Sequence, residues 1–262
     1  MVNEIDIFLI ASLFVILIAV LLALFVSYKL FRSWKESGKK PTLYMTYFFI
    51  FFVISVTLLL GELQVVSLTH SGVLPLSIAQ GEFLGYVLAV LAVGGSVIVL
   101  FALNFFAISF LDEKYRRFVY IPIIIAIIYW LVFSFGHYIS PIFQFHWEEE
   151  LVGDILTTYN LARSTEGLLV ILLLMIIPVW FPPLVLTIAT IQLRQGERPV
   201  FLRSLLILIA FVIIAITYIA EIIEVIPALI PVMRLGFIIF PIMMYLCLIM
   251  PPWFRKLLGF PT

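Results

Sequence analysis

Charged side chains are scarce in this sequence: 11% of its 262 residues are Asp, Glu, Lys or Arg, whereas 65% are hydrophobic. A soluble globular domain has about 25% charged residues. Since water cannot solvate so much apolar surface, the composition indicates a protein whose solvent is lipid. The fifteen basic and fifteen acidic residues balance. This balance argues against a nucleic-acid partner, because there is no excess positive charge to hold phosphates.

Residues that support common catalytic and cofactor chemistry are also missing. Cys247 is the single cysteine, so an internal disulfide and a Cys-x-x-Cys metal site are excluded. Gly-x-Ser-x-Gly and His-Glu-x-x-His do not occur. The last apolar run has no lysine for a retinal Schiff base, and no run has paired histidines at mid-depth for haem. We therefore expect no cofactor, and an enzyme is the least favoured class.

Long windows without charged residues dominate what is present. A transmembrane helix needs about 20 apolar residues. Lipid leaves backbone polar groups no partner outside a helix or a closed barrel, and barrel strands would alternate apolar and polar residues. The predicted fold class is therefore all-α, a single polytopic membrane bundle of seven transmembrane helices. The predicted spans are approximately 7–30, 43–63, 83–111, 118–139, 167–193, 204–225 and 230–252.

The basic residues are distributed unevenly between the two sides of this predicted bundle. All lysines and arginines except Arg163 and Arg234 lie in the first, third and fifth connections, at the ends of the spans beside them, or in the C-terminal tail. Cytoplasmic loops of membrane proteins carry an excess of Lys and Arg. We therefore expect a multi-pass protein of the cell membrane with its N-terminus outside and its C-terminus in the cytoplasm.

The longest connection, residues 140–166, lies on the predicted outer side. It contains the acidic cluster Glu148–Glu150, and apolar residues then recur from Leu151 to Ala162 at spacings of four, four and three. Such spacing is typical of an amphipathic helix. We expect this loop to be partly helical, with the glutamates at the positive end of the helix dipole.

Small residues and prolines mark two of the predicted spans. Six small residues lie between Gly85 and Ser96, which indicates close helix packing and a central position for the third span. A hinge at Gly94–Gly95 is the alternative. Three prolines from Pro178 to Pro183 predict that the fifth span bends or breaks, because proline removes a backbone donor and clashes with the preceding turn.

Four charged residues lie at the outer ends of predicted spans: Glu62, Glu221, Glu224 and Arg234. A charge at membrane depth is costly unless it is paired or faces water. Arg234 has two candidate partners, Glu224 across the last hairpin and Glu62 from the second span. The cluster is therefore either an ion-pair clamp or a polar pocket that recognises a ligand.

Three residues on the outer side are candidates for a divalent metal: His137, His146 and Glu148. No two of the histidines are four residues apart on one helix, which is a common spacing of metal ligands. The favoured interpretation is therefore surface histidines and no metal site.

The end of the chain has a distinctive pattern. Arg234–Leu258 reads RLGFIIFPIMMYLCLIMPPWFRKLL and contains Pro251-Pro252-Trp253-Phe254-Arg255-Lys256. It resembles the last helix of the seven-helix membrane sensor modules that precede histidine kinases in archaea and bacteria. The resemblance implies ligand sensing by the bundle and a signal that leaves through the seventh helix. Because the sequence stops at Thr262 without an output domain, we expect a separate signalling partner.

The favoured hypothesis is a receptor-like membrane protein that binds a small ligand, a lipid or a partner helix at the outer half of the bundle. Its expected partners are membrane lipids and a separate membrane or cytoplasmic protein. A small transporter or channel is one alternative, but it requires a polar path to the inner half, where the spans offer little beyond Asn104 and Ser109. A structural or assembly subunit of a larger membrane complex is the other.

Overall fold

The computed structural model describes residues 4–152, 156–194, 196–223 and 230–260; within these ranges, side chains are described except at 4–13, 63, 146, 148–152, 156–163, 221–223 and 230–231. In this part of the chain, seven helical segments are long and apolar enough to cross a membrane. This confirms the prediction of an all-α, multi-pass membrane architecture. The segments are Phe14–Ser37, Lys40–His70, Ile78–Ile108, Glu113–Ile139, Thr165–Leu193, Arg198–Ala220 and Val232–Ile249.

The described elements follow one another along the chain with short connections. The helices are α1 (Glu4–Ser37), α2 (Lys40–His70), α3 (Ile78–Ile108), α4 (Tyr120–Ile139), α5 (Thr165–Leu193), α6 (Arg198–Ile223), α7 (Ile230–Arg234), α8 (Gly236–Ile249) and α9 (Pro252–Leu258). Two 3₁₀ helices, Glu113–Val119 and Pro141–Phe143, flank α4, and two strands, β1 (Phe145–Val152) and β2 (Leu156–Arg163), precede α5.

The long helices form an up-and-down bundle in which α3 is central. Helix α3 packs against α2, α4 and α5, while α8 packs against α1 and α6. We call the end with β1, β2 and the α2–α3 connection the hairpin end. We call the opposite end the basic end, because the connections 38–39, 109–119 and 194–197 and their flanking basic residues lie there.

A cluster of phenylalanines joins four helices in the core. Phe48 of α2, Phe106 of α3, Phe211 of α6 and Phe240 of α8 are each at most 1% exposed. The ring centroids of Phe106 and Phe211 are 5.3 Å apart, and those of Phe48 and Phe240 are 5.0 Å apart. Helices in lipid gain little from the hydrophobic effect, so such tight van der Waals contacts hold the bundle together.

Helices α2 and α3 approach closely because α3 presents glycines to α2. A Cβ added at Gly85 would overlap Val66 of α2, and one added at Gly95 would overlap Ser55. A Cβ at Gly94 would lie 3.2 Å from Nε1 of Trp130 in α4. The prediction that the small residues serve packing at a central helix is confirmed.

The predicted ends and breaks of the helices differ from the observed ones at several places. Helix α2 continues to His70, seven residues beyond the predicted end, and stops where Gly72 takes a φ of 73°. Helix α5 contains its three prolines without a break. The predicted span 230–252 is divided at Leu235 and again at Met250, a non-glycine residue with a φ of 51° that precedes a proline.

The connection 140–166 forms strands, so the prediction of an amphipathic helix from Leu151 to Ala162 is wrong. Strands β1 and β2 pair in antiparallel register, from Phe145 opposite Arg163 to Val152 opposite Leu156. The sequence between the strands contains Gly153, a residue typical of a short hairpin loop. A few apolar residues at helical spacing do not distinguish a helix from a short strand pair.

Candidate ligand-binding site

Glu62 is an acidic side chain buried inside a membrane-spanning helix. Only 3% of its surface is exposed. It lies eight residues before His70, the last residue of α2, which corresponds to roughly 12 Å along the helix axis. The sequence had suggested that Glu62 lies at the end of its helix. The extension of α2 instead places this carboxyl about two turns inside the helix.

The position of Glu62 on α2 places it beside α3. Val66 and Thr69 contact the glycine stripe of α3, at Gly85 and Gly81 respectively, and Glu62 follows the same stripe at helical spacing. The antiparallel register of these pairs puts Glu62 level with Ala89, a small residue that is 3% exposed.

The carboxyl of Glu62 lacks a described partner. Its Oε2 atom is buried and accepts no hydrogen bond from any described residue. The ion pairs among described residues also do not include it. Because a buried carboxylate without a donor costs several kcal/mol, the group needs a proton or a hydrogen-bond-donating cation to be stable there.

Of the other three members of the predicted charge cluster, the structure describes the side chain of Arg234 alone. Glu221 is in the last turn of α6, but its side chain is outside the described residues, as is all of Glu224. Arg234 is half-buried at the last residue of α7, which packs mainly on α1 and α6. Within the described residues, Arg234 and Glu62 do not form an ion pair.

The metal candidates at the hairpin end lie in an aromatic setting. The ring of His137 lies 5.7 Å from that of Tyr86 and 5.2 Å from that of Phe145, both edge to face. The side chains of His146 and Glu148 are outside the described residues. Among the side chains that are described, no three His, Cys, Asp or Glu residues are close enough to hold a metal ion.

Sequence reasoning missed one side-chain hydrogen bond at the hairpin end. His70 Nε2 at the end of α2 lies 3.1 Å from Glu82 Oε1 in the first turns of α3. The two residues are separated by twelve positions and flank one short connection. Had α2 been predicted to reach His70, the antiparallel hairpin would have indicated this pair.

Asn104 is another buried polar side chain with an atom that accepts no described hydrogen bond. Its Nδ2 donates to the carbonyl oxygens of Leu100 at 2.7 Å and Pro178 at 3.0 Å, while its Oδ1 accepts no hydrogen bond from described residues. Asn104 lies in α3 toward the basic end of the bundle, whereas Glu62 lies in α2 toward the hairpin end. These two polar groups therefore do not form one site.

Comparison with models of known protein families, with curated protein sequences and with solved structures finds no match in any of the three.

Proposed function

We propose that this protein is a receptor-like multi-pass membrane protein that binds a cationic or hydrogen-bond-donating group at Glu62. The observation that carries the proposal is the Oε2 atom of Glu62, which is buried in a membrane-spanning helix without a described partner. A protonated amine would supply both the missing hydrogen bond and a compensating charge.

The proposed orientation places the N-terminus outside the cell and the hairpin end in the extracellular half. Its support is the concentration of Lys and Arg at the basic end, since cytoplasmic loops are enriched in these residues. Glu62 then lies in the extracellular half of the bundle, and a ligand that arrives from outside has to enter between the helices to reach it. The signal would leave through α8 to a partner protein, as in the sensor modules that the end of the sequence resembles.

A second candidate function rests on the same carboxyl. A small transporter could use Glu62 to carry a proton or a cation, because ionisable residues within membrane helices commonly mark such pathways. This candidate requires that the ligand crosses the membrane, whereas a receptor only binds it.

The test measures the thermal unfolding midpoint of the detergent-purified protein against a panel of primary amines, quaternary amines and monovalent cations. Glu62→Gln removes the charge while it keeps the size of the side chain. The matched control is Glu166→Gln, which changes an exposed glutamate at the start of α5, at the same end of the bundle. Arg234→Ala tests whether Arg234 belongs to the same site.

We expect one compound to raise the midpoint of the wild type and of Glu166→Gln but not of Glu62→Gln. Uptake of that compound into proteoliposomes would favour the transporter. A compound that stabilises Glu62→Gln as well would contradict a site at this carboxyl. If the wild type responds to no compound and copurifies with a fixed partner, the protein is an assembly subunit instead.

A further inference from the structure

A cleft of about 470 Å³ opens at the basic end of the bundle. It lies between the first turn of α2, the last turns of α3 and the 3₁₀ helix Glu113–Val119. All three elements begin or end where their membrane-spanning segments do. The cleft is therefore at the level where lipid headgroups meet the protein.

Three basic residues, Lys40, Arg116 and Arg117, line this cleft, and none of the described lining residues is acidic. Arg116 Nη1 lies 3.3 Å from Glu113 Oε1. Because this ion pair is exposed, the glutamate offsets the charge of Arg116 only weakly. Lys40 and Arg117 form no ion pair with any residue that the structure describes. These two exposed cations are thus available to an anion from outside the chain.

The first turn of α2 adds to this field. Helix α2 begins at Lys40 on the rim of the cleft, and its first turn has no acidic residue. The N-terminal end of a helix carries a partial positive charge that favours anions. The helix dipole and the basic side chains therefore both favour the binding of an anion at this cleft.

The interior of the cleft is apolar. Tyr44 and Phe105 stack with their ring centroids 5.5 Å apart and form one wall. Ile108 and Val119, which are 4% and 2% exposed, lie at its base. A ligand that matches the cleft carries its negative charge at the mouth and apolar groups within.

We propose that this cleft binds the phosphate headgroup of an anionic membrane lipid. Lys40, Arg116 and Arg117 hold the phosphate, and the glycerol and upper acyl carbons lie against Tyr44 and Phe105. A soluble phosphate ester shares the charged part of this chemistry but would gain nothing from the aromatic wall. The site is independent of the proposed role of Glu62, which lies toward the opposite end of α2.

The experiment titrates short-chain phosphatidylglycerol into the full-length protein in an uncharged maltoside detergent and counts bound lipid by native mass spectrometry. Phosphatidylcholine of the same chain length and glycerol phosphate are titrated in parallel. The variants are Arg117→Gln and Lys40→Gln, with Arg198→Gln as the control for an exposed basic residue at the same end but outside the cleft. Ser109→Trp fills the cleft without a change of charge.

We expect phosphatidylglycerol to bind more tightly than either alternative. Arg117→Gln and Lys40→Gln should each weaken phosphatidylglycerol binding about fivefold, which corresponds to one basic contact near headgroups. Arg198→Gln should not alter binding, and Ser109→Trp should abolish it. Equal loss in Arg198→Gln, or unchanged binding in Ser109→Trp, would show diffuse surface attraction and overturn the site. Glycerol phosphate that binds as tightly as the lipid would assign the cleft to a soluble phosphate ester.

Discussion

The side-chain Nδ2 of Asn104 in α3 donates a hydrogen bond to the carbonyl oxygen of Pro178 in α5, at 3.0 Å. In an α-helix this carbonyl would accept from the N–H four residues later, and that residue is Pro182, which has no N–H. Asn104 thus replaces the donor that proline removes. This contact explains how α5 continues through its prolines inside an apolar bundle, where water cannot satisfy the carbonyl.

We expect Asn104→Ala to lower the free energy of unfolding by about 1–2 kcal/mol, because the Pro178 carbonyl loses its interhelical donor. Pro182→Ala restores a backbone N–H to the same carbonyl. In the double variant the effect of Asn104→Ala should therefore be smaller than in the wild type. Equilibrium unfolding in detergent measures the four free energies of this cycle.

The control pair for this cycle is Asn104→Ala with Pro183→Ala. Pro183 frees the carbonyl of Val179, which Asn104 does not contact among the described hydrogen bonds. The two substitutions should be additive. Equal coupling to Pro182 and Pro183 would show that Asn104 acts through general packing and not through the Pro178 carbonyl.

A carbonyl at the C-terminal end of α8 predicts a role for Arg203. Its Nε donates to the carbonyl oxygen of Cys247 at 2.7 Å. Because α8 ends at Ile249, this carbonyl has no N–H four residues later within the helix. Arg203→Met keeps the apolar stem and removes the donor, which should cost about 1.5–3 kcal/mol. Thermal unfolding should show a much smaller effect for Arg198→Met, since Arg198 is exposed. Equal losses would mean that general charge at this end matters and the carbonyl contact does not.

Close packing of α2 and α3 predicts that Gly85→Ala is harmful. The added methyl group would overlap Val66 and lie 3.2 Å from Trp147 Cη2, and overpacking costs about 1–3 kcal/mol. Val66→Ala should restore part of the loss. Gly61→Ala is the control, because its Cβ would meet only Leu88 at an ordinary 3.7 Å. The idea fails if the two glycine variants have the same thermal midpoint.

The buried hydroxyl pair between α5 and α6 predicts non-additive effects. Thr190 Oγ1 and Ser204 Oγ are 2.8 Å apart, and both side chains are buried. Thr190→Val or Ser204→Ala alone leaves one buried hydroxyl with a lost partner and should cost about 1 kcal/mol. The double variant should be nearly as stable as either single variant in equilibrium unfolding. Fully additive losses would show that the two hydroxyls do not depend on each other.

Several features could be predicted from the residues because their cause is local. A charge in lipid is costly wherever it occurs, so windows free of charge located the seven helices. The end of α2 was misplaced because Glu62 ends the charge-free window, whereas the helix itself ends at His70, two residues before the positive φ of Gly72. The strands β1 and β2 were missed since a short apolar pattern does not distinguish the two periodicities.

The candidate site was only partly accessible from the sequence. Glu62 could be selected as a charge in a membrane helix and as one of two candidate partners of Arg234, and the described residues show no ion pair between the two. Whether a buried carboxyl has a partner depends on which face of α2 it occupies and on what α3 presents there. Gly81 and Gly85 of α3 determine how closely this face of α2 approaches, through their contacts with Thr69 and Val66.

The sequence alone determined that the chain forms seven membrane-compatible helices with most basic residues at one end, since both properties follow from the cost of placing each residue in lipid. Only the tertiary structure decided that Asn104 meets the carbonyl of Pro178, 74 positions away. It also decided that Glu62 is buried beside α3 and that Lys40 and Arg117 share a cleft. These relationships depend on how helices distant in sequence pack, and no local property of a residue specifies its neighbour across an interface.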